Sequence, residues 1–282
     1  MNSYHHPIIS PRSRLWFRVF AISTYVFLYL PVVVLVVFSF SDSKLLVFPI
    51  DEFSLRWYGV LFANKDLQRS ILNSFIVAGT VVPVSLALGT PLAFALDRFQ
   101  FPGKTVFEQG LLIPLIVPGL ITGLAILLVL KELEVRLSLV TVIIGHSIWC
   151  LPIVVTQVYA RLRRLDQTIE EASMDLGATR AQTFLRVTLP NIRTSLVASA
   201  LLTFTLSFDE VPVTFFLTGT QNTLPMHIWS MLREGVTPEI NAIATITVAI
   251  SIIILAIALQ LLNRDNSARP RQPGPVTGNN GA

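Results

Sequence analysis

The chain has 282 residues, of which 52% are hydrophobic and only 13% charged, and its mean hydropathy is +0.66. A soluble globular protein carries about 25% charged residues, so these counts exclude a chain whose surface is mostly in water and make lipid the solvent for most of it. Net charge is +4, and the single Cys150, set in an apolar run, excludes a disulfide within the chain.

A span across a bilayer takes about 20 apolar residues at 1.5 Å each. The first uncharged run, Val19–Phe40, is longer than the apolar region of a signal peptide, about 7–15 residues, and reads as a retained anchor. A mixed segment from Ser41 to Arg69 follows, where Phe53, Leu55, Trp57 and Tyr58 suit a helix lying at the membrane surface. Ser70–Leu96, Gln109–Leu130 and Leu137–Ala160 predict three further spans. A fifth begins at Thr194, is interrupted by Asp209 and Glu210, and resumes through Leu217 before the turn-rich Gly219-Thr220-Gln221-Asn222. Ile240–Asn263 is the last, and the Pro-, Gly- and Asn-rich tail at 264–282 reads as disordered. The fold class is therefore an all-α polytopic membrane protein with six transmembrane helices.

An even number of spans puts both termini on one side. With residues 1–18 in the cytoplasm, fourteen of the 21 Lys and Arg fall inside and seven outside, which follows the positive-inside rule. It also accounts for the pI of about 9.5 without nucleic acid. Proline is frequent in the spans: Pro31, Pro83, Pro91, Pro114, Pro118, Pro152 and Pro212 each remove a backbone hydrogen bond and tend to kink the helix. Gly119 and Gly123 form a GxxxG that allows another helix to approach closely.

The cytoplasmic loop, 161–193, carries the most information. Thr168 and Glu171 fit a capping box that opens a short helix with Ile169, Ala172 and Leu176 on one face. Gly177 stands where that helix would end in the left-handed conformation. Thr179 and Gln182 fit a second capping box, with Ala181, Phe184, Leu185 and Leu189 apolar behind it and Pro190 closing the segment. So short a helix is marginal alone and is explained by packing against something. One reading is a DNA-reading helix-turn-helix, but the loop has no room for a third helix and a core. The other is a docking element that fits a groove on a cytoplasmic partner.

Glu171-Ala172-Ser173, Gly177 six residues after Glu171, and Val187-Thr188-Leu189-Pro190 resemble the EAA loop of ABC importer permeases, with Ser173 and Val187 as conservative departures. The resemblance runs from about Leu67 to Asn263. It includes Asn73-Ser74, Phe101-Pro102-Gly103-Lys104, Pro114 and Pro118, and within the spermidine/putrescine-type group it adds Ser207-Phe208-Asp209-Glu210, Thr223-Leu224-Pro225 and Trp229 to Asn241. The resemblance implies a type I importer subunit, with 19–66 as first span and outer segment and 67–263 as the importer domain. It implies partners: two copies of an ATP-binding subunit, a second and different permease chain, and a periplasmic substrate-binding protein. Ile169, Glu171, Ala172, Leu176, Gly177, Leu189 and Pro190 would couple the chain to the ATPase, and polyamines would be the substrate, with opines, phosphonates or ferric ion as alternatives within the class.

The chain is not expected to be an enzyme or to hold a cofactor or metal. Gly103-Lys104-Thr105 offers the end of a phosphate-binding loop, but the position of its first glycine holds Arg98. His5 and His6 are adjacent in the terminus, His146 and His227 stand alone, and no zinc-ligand spacing or Gly-x-Ser-x-Gly elbow occurs. An intramembrane hydrolase resting on Asp209, Glu210 and His146, and a membrane-anchored DNA-binding sensor, are the alternatives of other classes. Asp209 and Glu210 lie about 22 Å along the fifth span from Thr194. Charge there should face protein, water or a cation. Pro212 cannot bond back to the carbonyl of Phe208, so a kink could gather that oxygen and the two carboxylates on a cation's path.

Overall fold

The computed structural model describes residues 11–43, 48–50, 52–235 and 238–267. Of the tail expected to be disordered at 264–282, residues 264–267 instead continue the last helix, and 268–282, the terminus holding His5 and His6, and part of the segment between Ser41 and Arg69 lie outside the described residues. All regular structure among those described is helical, apart from a single bridge between Ser41 and Phe53. The described residues group into two compact units, one of those up to Lys65 with Ser230–Ala249, the other of Asp66–Trp229 with those from Ile250 onward.

In the first unit α1 (Pro11–Phe38) exposes apolar side chains on every side, among them Trp16, Phe20, Phe27 and Tyr29. A helix apolar all round needs lipid or another chain around it. α2 (Arg56–Ala63) is the short helix expected at the membrane surface, but its aromatic residues do not all face outward. Trp57 is buried and its Nε1 donates to the carbonyl of Ser41 at 2.8 Å, while the Tyr58 hydroxyl pairs with Ser39 Oγ at 2.7 Å. Phe53 and Leu55 stay exposed, so only part of the expected interfacial face forms. The reason is that the indole N–H and the phenol find partners in the turn after α1, which removes the need for a wet interface.

The second unit is built on α3 (Lys65–Arg98) and α7 (Leu139–Leu162). Pro83 and Pro91 lie inside α3 and Pro152 inside α7 without ending either helix. The third expected span, Gln109–Leu130, is not one helix. It is α4 (Lys104–Leu111), α5 (Ile113–Ile116) and α6 (Gly119–Glu132), with a bend of 104° at Val117-Pro118. Val117 is extended, with ψ of 131°, as the ring of a following proline demands, and Pro118 has no N–H to continue the ladder. The loop helices are α8 (Thr168–Asp175) and α9 (Arg180–Thr183), and the latter runs through a π turn at Phe184–Thr188 into α10 (Leu189–Phe208). α11 (Pro212–Leu217), α12 (Leu224–Glu234) and α13 (Pro238–Ser267) complete the chain.

Among the described residues three helices, α1, α3 and α7, are long and apolar enough to cross a membrane, and the bent α4–α6 segment makes a fourth if taken as one span. The last two expected spans correspond to α10 with α11, broken at Asp209–Val211, and to α13, whose apolar described portion is Pro238–Ile254. Burial along α3 and α7 falls into two clusters. One joins Val77, Val81, Leu130, Val142, Cys150, Val213 and Leu217, and the other joins Ala93, Leu96, Val154, Val158, Leu162 and Ile192. Each such side chain removed from a polar environment contributes about 1.5–3 kcal/mol against water, but against lipid the gain comes from close packing. That is where the glycines matter. A Cβ on Gly119 would stand 3.0 Å from Pro212 Cβ, and one on Gly123 would stand 3.1 Å from Val213 Cα, so the GxxxG seats α11 on α6.

Candidate functional site

Two regions carry the residues singled out from the sequence. The first is the loop. Its opening differs from the expected capping box: Thr168 is already helical, its side chain caps nothing, and Asp166 Oδ1 accepts from the Thr168 amide at 3.0 Å instead. The register is set two residues earlier because an Asx turn at Asp166 satisfies that amide before Thr168 could serve as cap. Hydrogen bonds from the amide and hydroxyl of Thr168 hold the Asp166 carboxyl below its usual pKa.

At the other end of α8 the glycine reading holds. Gly177 has φ of 88°, its N–H donates to Met174 at 2.9 Å, and the Ala178 N–H donates to Ser173 at 3.2 Å. These two bonds make the left-handed stop of a Schellman motif. The second capping box also forms, with Gln182 N donating to Thr179 Oγ1 at 3.3 Å and Thr179 N to Gln182 Oε1 at 2.9 Å. Pro190 does not close the segment. It lies in the first turn of α10, after the Leu189 N–H has bonded back to Phe184, and the wide turn accepts a residue with no N–H to give.

The loop therefore has two faces. Ile169 and Leu176 are 47% and 90% exposed, and Glu171 and Ala172 lie on the exposed side as well. Leu189 is half-buried against the α3–α7 core, while Pro190 is exposed. The inner side is held by Glu170, which the sequence reading passed over. Its Oε2 accepts from Arg98 Nη2 at 2.6 Å and its Oε1 from the Thr188 hydroxyl at 2.7 Å. Ser173 Oγ and Thr183 Oγ1 pair at 3.1 Å on the same side. A cleft of about 690 Å³ lies between the end of α3 and the loop, with Pro91, Phe94, Arg98, Glu170, Met174 and Phe184 among its walls. The one available signal was periodicity: Glu170, Ser173 and Met174 recur at i, i+3 and i+4 on a stripe beside the Ile169 face.

The second region is the break between α10 and α11. Pro212 opens the chain as expected, but the two acids diverge. Glu210 is buried and its Oε1 accepts from Val213 N at 2.9 Å, capping α11, while Asp209 is exposed. Phe208 is buried, with its ring edge-on to Phe75 at 5.2 Å. Glu210 Oε1 is thus committed to an orphan N–H at the head of α11, while the Asp209 carboxylate is exposed.

His146, fully buried on α7, ties both sides of the break together. Its Nδ1 lies 2.9 Å from Ser207 Oγ on α10 and its Nε2 2.8 Å from Thr214 Oγ1 on α11. The Thr214 hydroxyl donates to the Glu210 carbonyl at 2.9 Å, so Nε2 carries the proton that bonds Thr214. The histidine thus meets two hydroxyls that pin helices; neither Asp209 nor Glu210 is its partner, and the hydrolase alternative loses its constellation. Asn73 and Ser74 find their role as well: Asn73 Nδ2 donates to the Asn222 carbonyl and Ser74 Oγ accepts from Leu224 N, both at 2.8 Å. They fasten the turn before α12 to α3.

Broken, pinned helices and an exposed, capped loop make this a multi-pass helical membrane protein. The chain belongs to the family of binding-protein-dependent transport system inner membrane components, whose pattern matches residues 58–268. It is 37% identical over 264 residues to the putrescine transport system permease protein PotI of Escherichia coli (strain K12), covering 91% of this chain and 94% of that one. It is 34% identical over 251 residues to the spermidine/putrescine transport system permease protein PotC of the same strain, covering 88% and 94%. Among solved structures, a bacterial ABC transporter involved in the import of the acidic polysaccharide alginate shares the fold, with a TM-score of 0.68 at 17% identity over 92% of this chain and 99% of that one. The MetNI methionine ABC transporter does so with a TM-score of 0.60 at 16% identity, over 71% and 95%.

Proposed function

We propose that this subunit imports polyamines of the putrescine and spermidine class. In this reading it works with two copies of an ATP-binding subunit, a second permease chain and a periplasmic binding protein, and both of its termini are cytoplasmic. The observation that carries the substrate is the likeness, over nine-tenths of the chain, to two permeases named for polyamines. Asp209 supports it: an exposed carboxylate at a break in a membrane helix is a place for an ammonium group to pause. Glu210 shapes that place without meeting the substrate, since it caps α11 and so fixes where the break lies.

The coupling residues are Ile169, Glu171, Ala172, Leu176 and Gly177, with Leu189 and Pro190 fixing how the loop joins α10. Their support is an apolar, exposed face on a helix too short to stand alone, ended by a glycine in a conformation other residues adopt only at a cost of about 1–2 kcal/mol. An ATPase groove that accepts Leu176 and Ile169 would move α8 whenever it closes on ATP.

The test is uptake of labelled putrescine by cells lacking their own polyamine import and expressing the whole transporter, with spermidine, an opine, a phosphonate and ferric ion as competitors. Competition by spermidine alone is expected, and competition by one of the others without spermidine would replace the substrate assignment. In the same cells Asp209→Asn should raise the half-saturating putrescine concentration by about tenfold, the scale of one lost charge contact. An unchanged value with the complex intact would remove Asp209 from the path.

A further inference from the structure

We propose that Glu170 is the positioning residue that passes movement of the coupling helix to the membrane helices. The inference rests on the reading that α8 docks an ATPase. Glu170 sits on the inner side of α8, beside the face of Ile169 and Leu176, and its two oxygens go to two different helices. Oε2 takes Arg98 Nη2, the last residue of α3, and Oε1 takes the hydroxyl of Thr188, at the end of the π turn that leads into α10. One carboxylate thus joins the coupling helix to the end of α3 and, through Thr188, to the turn that leads into α10.

The geometry makes this joint stiff. Both bonds are short and charge-assisted, and the Glu170 and Arg98 side chains are only 14% and 25% exposed, so water competes weakly. Asp97 Oδ2 lies 3.4 Å from the Arg98 Nε, an ion-pair contact without a hydrogen bond that places a second carboxylate beside the guanidinium. Thr188 is buried, and the Ser173–Thr183 pair gives α8 a further tie, to α9. α8 cannot shift along its axis while these bonds hold without taking the end of α3 and the start of α10 with it. The cleft beside them leaves room for that movement, since it lies between the loop and α3. Glu170 has two partners, one at the end of α3 and one at the entry to α10.

The experiment uses the complete transporter in lipid nanodiscs and proteoliposomes, comparing Glu170→Ala, Thr188→Val, the exchange Glu170→Arg with Arg98→Glu, and Leu176→Asp. Three quantities are read: ATPase subunit retained, ATP hydrolysed, and substrate taken up. For Glu170→Ala the ATPase subunit should remain bound and hydrolysis should stay within about twofold, while uptake per ATP falls by about tenfold, the range of coupling changes along such a link. Thr188→Val should lower that ratio by a smaller factor, and the exchange should restore a measurable part of it. Unchanged uptake per ATP in Glu170→Ala would overturn the proposal, as would loss of the ATPase subunit from that variant, which would make Glu170 part of the dock. Leu176→Asp separates the underlying reading: if it retains the ATPase subunit and full uptake, α8 is not the dock and both claims fall. If it loses the subunit while Glu170→Ala transports normally, only the role of Glu170 fails.

Discussion

The seat of α11 on α6 offers a quantitative test, because Gly123 leaves no room for even one carbon. A Cβ there would stand 3.1 Å from Phe216 Cδ2, 3.1 Å from Val213 Cα and 3.3 Å from the Pro212 carbonyl. Two of these three neighbours are backbone, so a rotamer change cannot make room and the helices must part by a few tenths of an ångström. Overpacking of this kind costs about 1–3 kcal/mol, offset in part by up to about 1 kcal/mol of helix propensity on replacing glycine with alanine. Gly123→Ala should therefore be destabilising by about 1 kcal/mol, and Gly123→Ile, whose branches reach further into α11, by about 3 kcal/mol or more. Gly110, with nothing within 4 Å of a Cβ, is the internal control, and Gly110→Ala should be neutral or slightly stabilising. Thermal unfolding of the purified transporter in detergent reads the difference, with about 2–4 °C expected per kcal/mol at this size. Because α11 begins with the Glu210 cap, uptake should fall further than the Tm does. Equal Tm values for Gly123→Ala and Gly110→Ala would refute the packing argument.

Three further outcomes follow from the same geometry. His146→Leu removes both bonds across the α10–α11 break, and at the strength of hydrogen bonds inside membrane bundles it should cost about 1–3 kcal/mol of stability; His146→Gln should recover part of the Tm, and equal Tm values for the two would sink the pin. The Asp166 carboxyl is held below its ordinary pKa, so what it contributes to the start of α8 is complete above the usual aspartate value, about 4, and is lost as pH falls through the lowered one; amide exchange at Thr168, corrected for intrinsic rate, should speed up over that window and already at neutral pH in Asp166→Ala. Single cysteines from Asn222→Cys and Gln182→Cys in a Cys150→Ser background should label from outside at 222 and not at 182, and the reverse pattern in intact spheroplasts would invert the topology.

The sequence made some of this legible and hid the rest for physical reasons. The apolar runs locate α1, α3, α7 and the bent α4–α6 segment because lipid tolerates few charges, and Gly177, Thr179 and Gln182 fall into place because local backbone chemistry alone dictates a left-handed stop and a capping box. The GxxxG at Gly119 and Gly123 marked a close approach but not its partner, which only tertiary structure identifies as Pro212 and Val213. The bend at Val117-Pro118 was missed because the residues on both sides are apolar, and hydropathy does not distinguish one straight span from two halves at 104°. Thr168 looked like a cap until Asp166, two residues earlier, reached its amide first. Glu170 and His146 were invisible as partners of Arg98, Thr188, Ser207 and Thr214, since each bond joins residues far apart in the chain. Asp209 and Glu210 looked equivalent in sequence, and only the head of α11 tells them apart.

The central claim, that this chain forms half of the membrane path of an ATP-driven polyamine importer, is tested most directly by reconstitution. Proteoliposomes would hold the complete transporter with ATP enclosed, the binding protein and labelled putrescine outside. The account predicts accumulation of putrescine against its gradient that requires both ATP and this chain, and that disappears with Leu176→Asp. An intact complex that hydrolyses ATP without accumulating putrescine or spermidine, or that accumulates them equally well when this chain is left out, would contradict it.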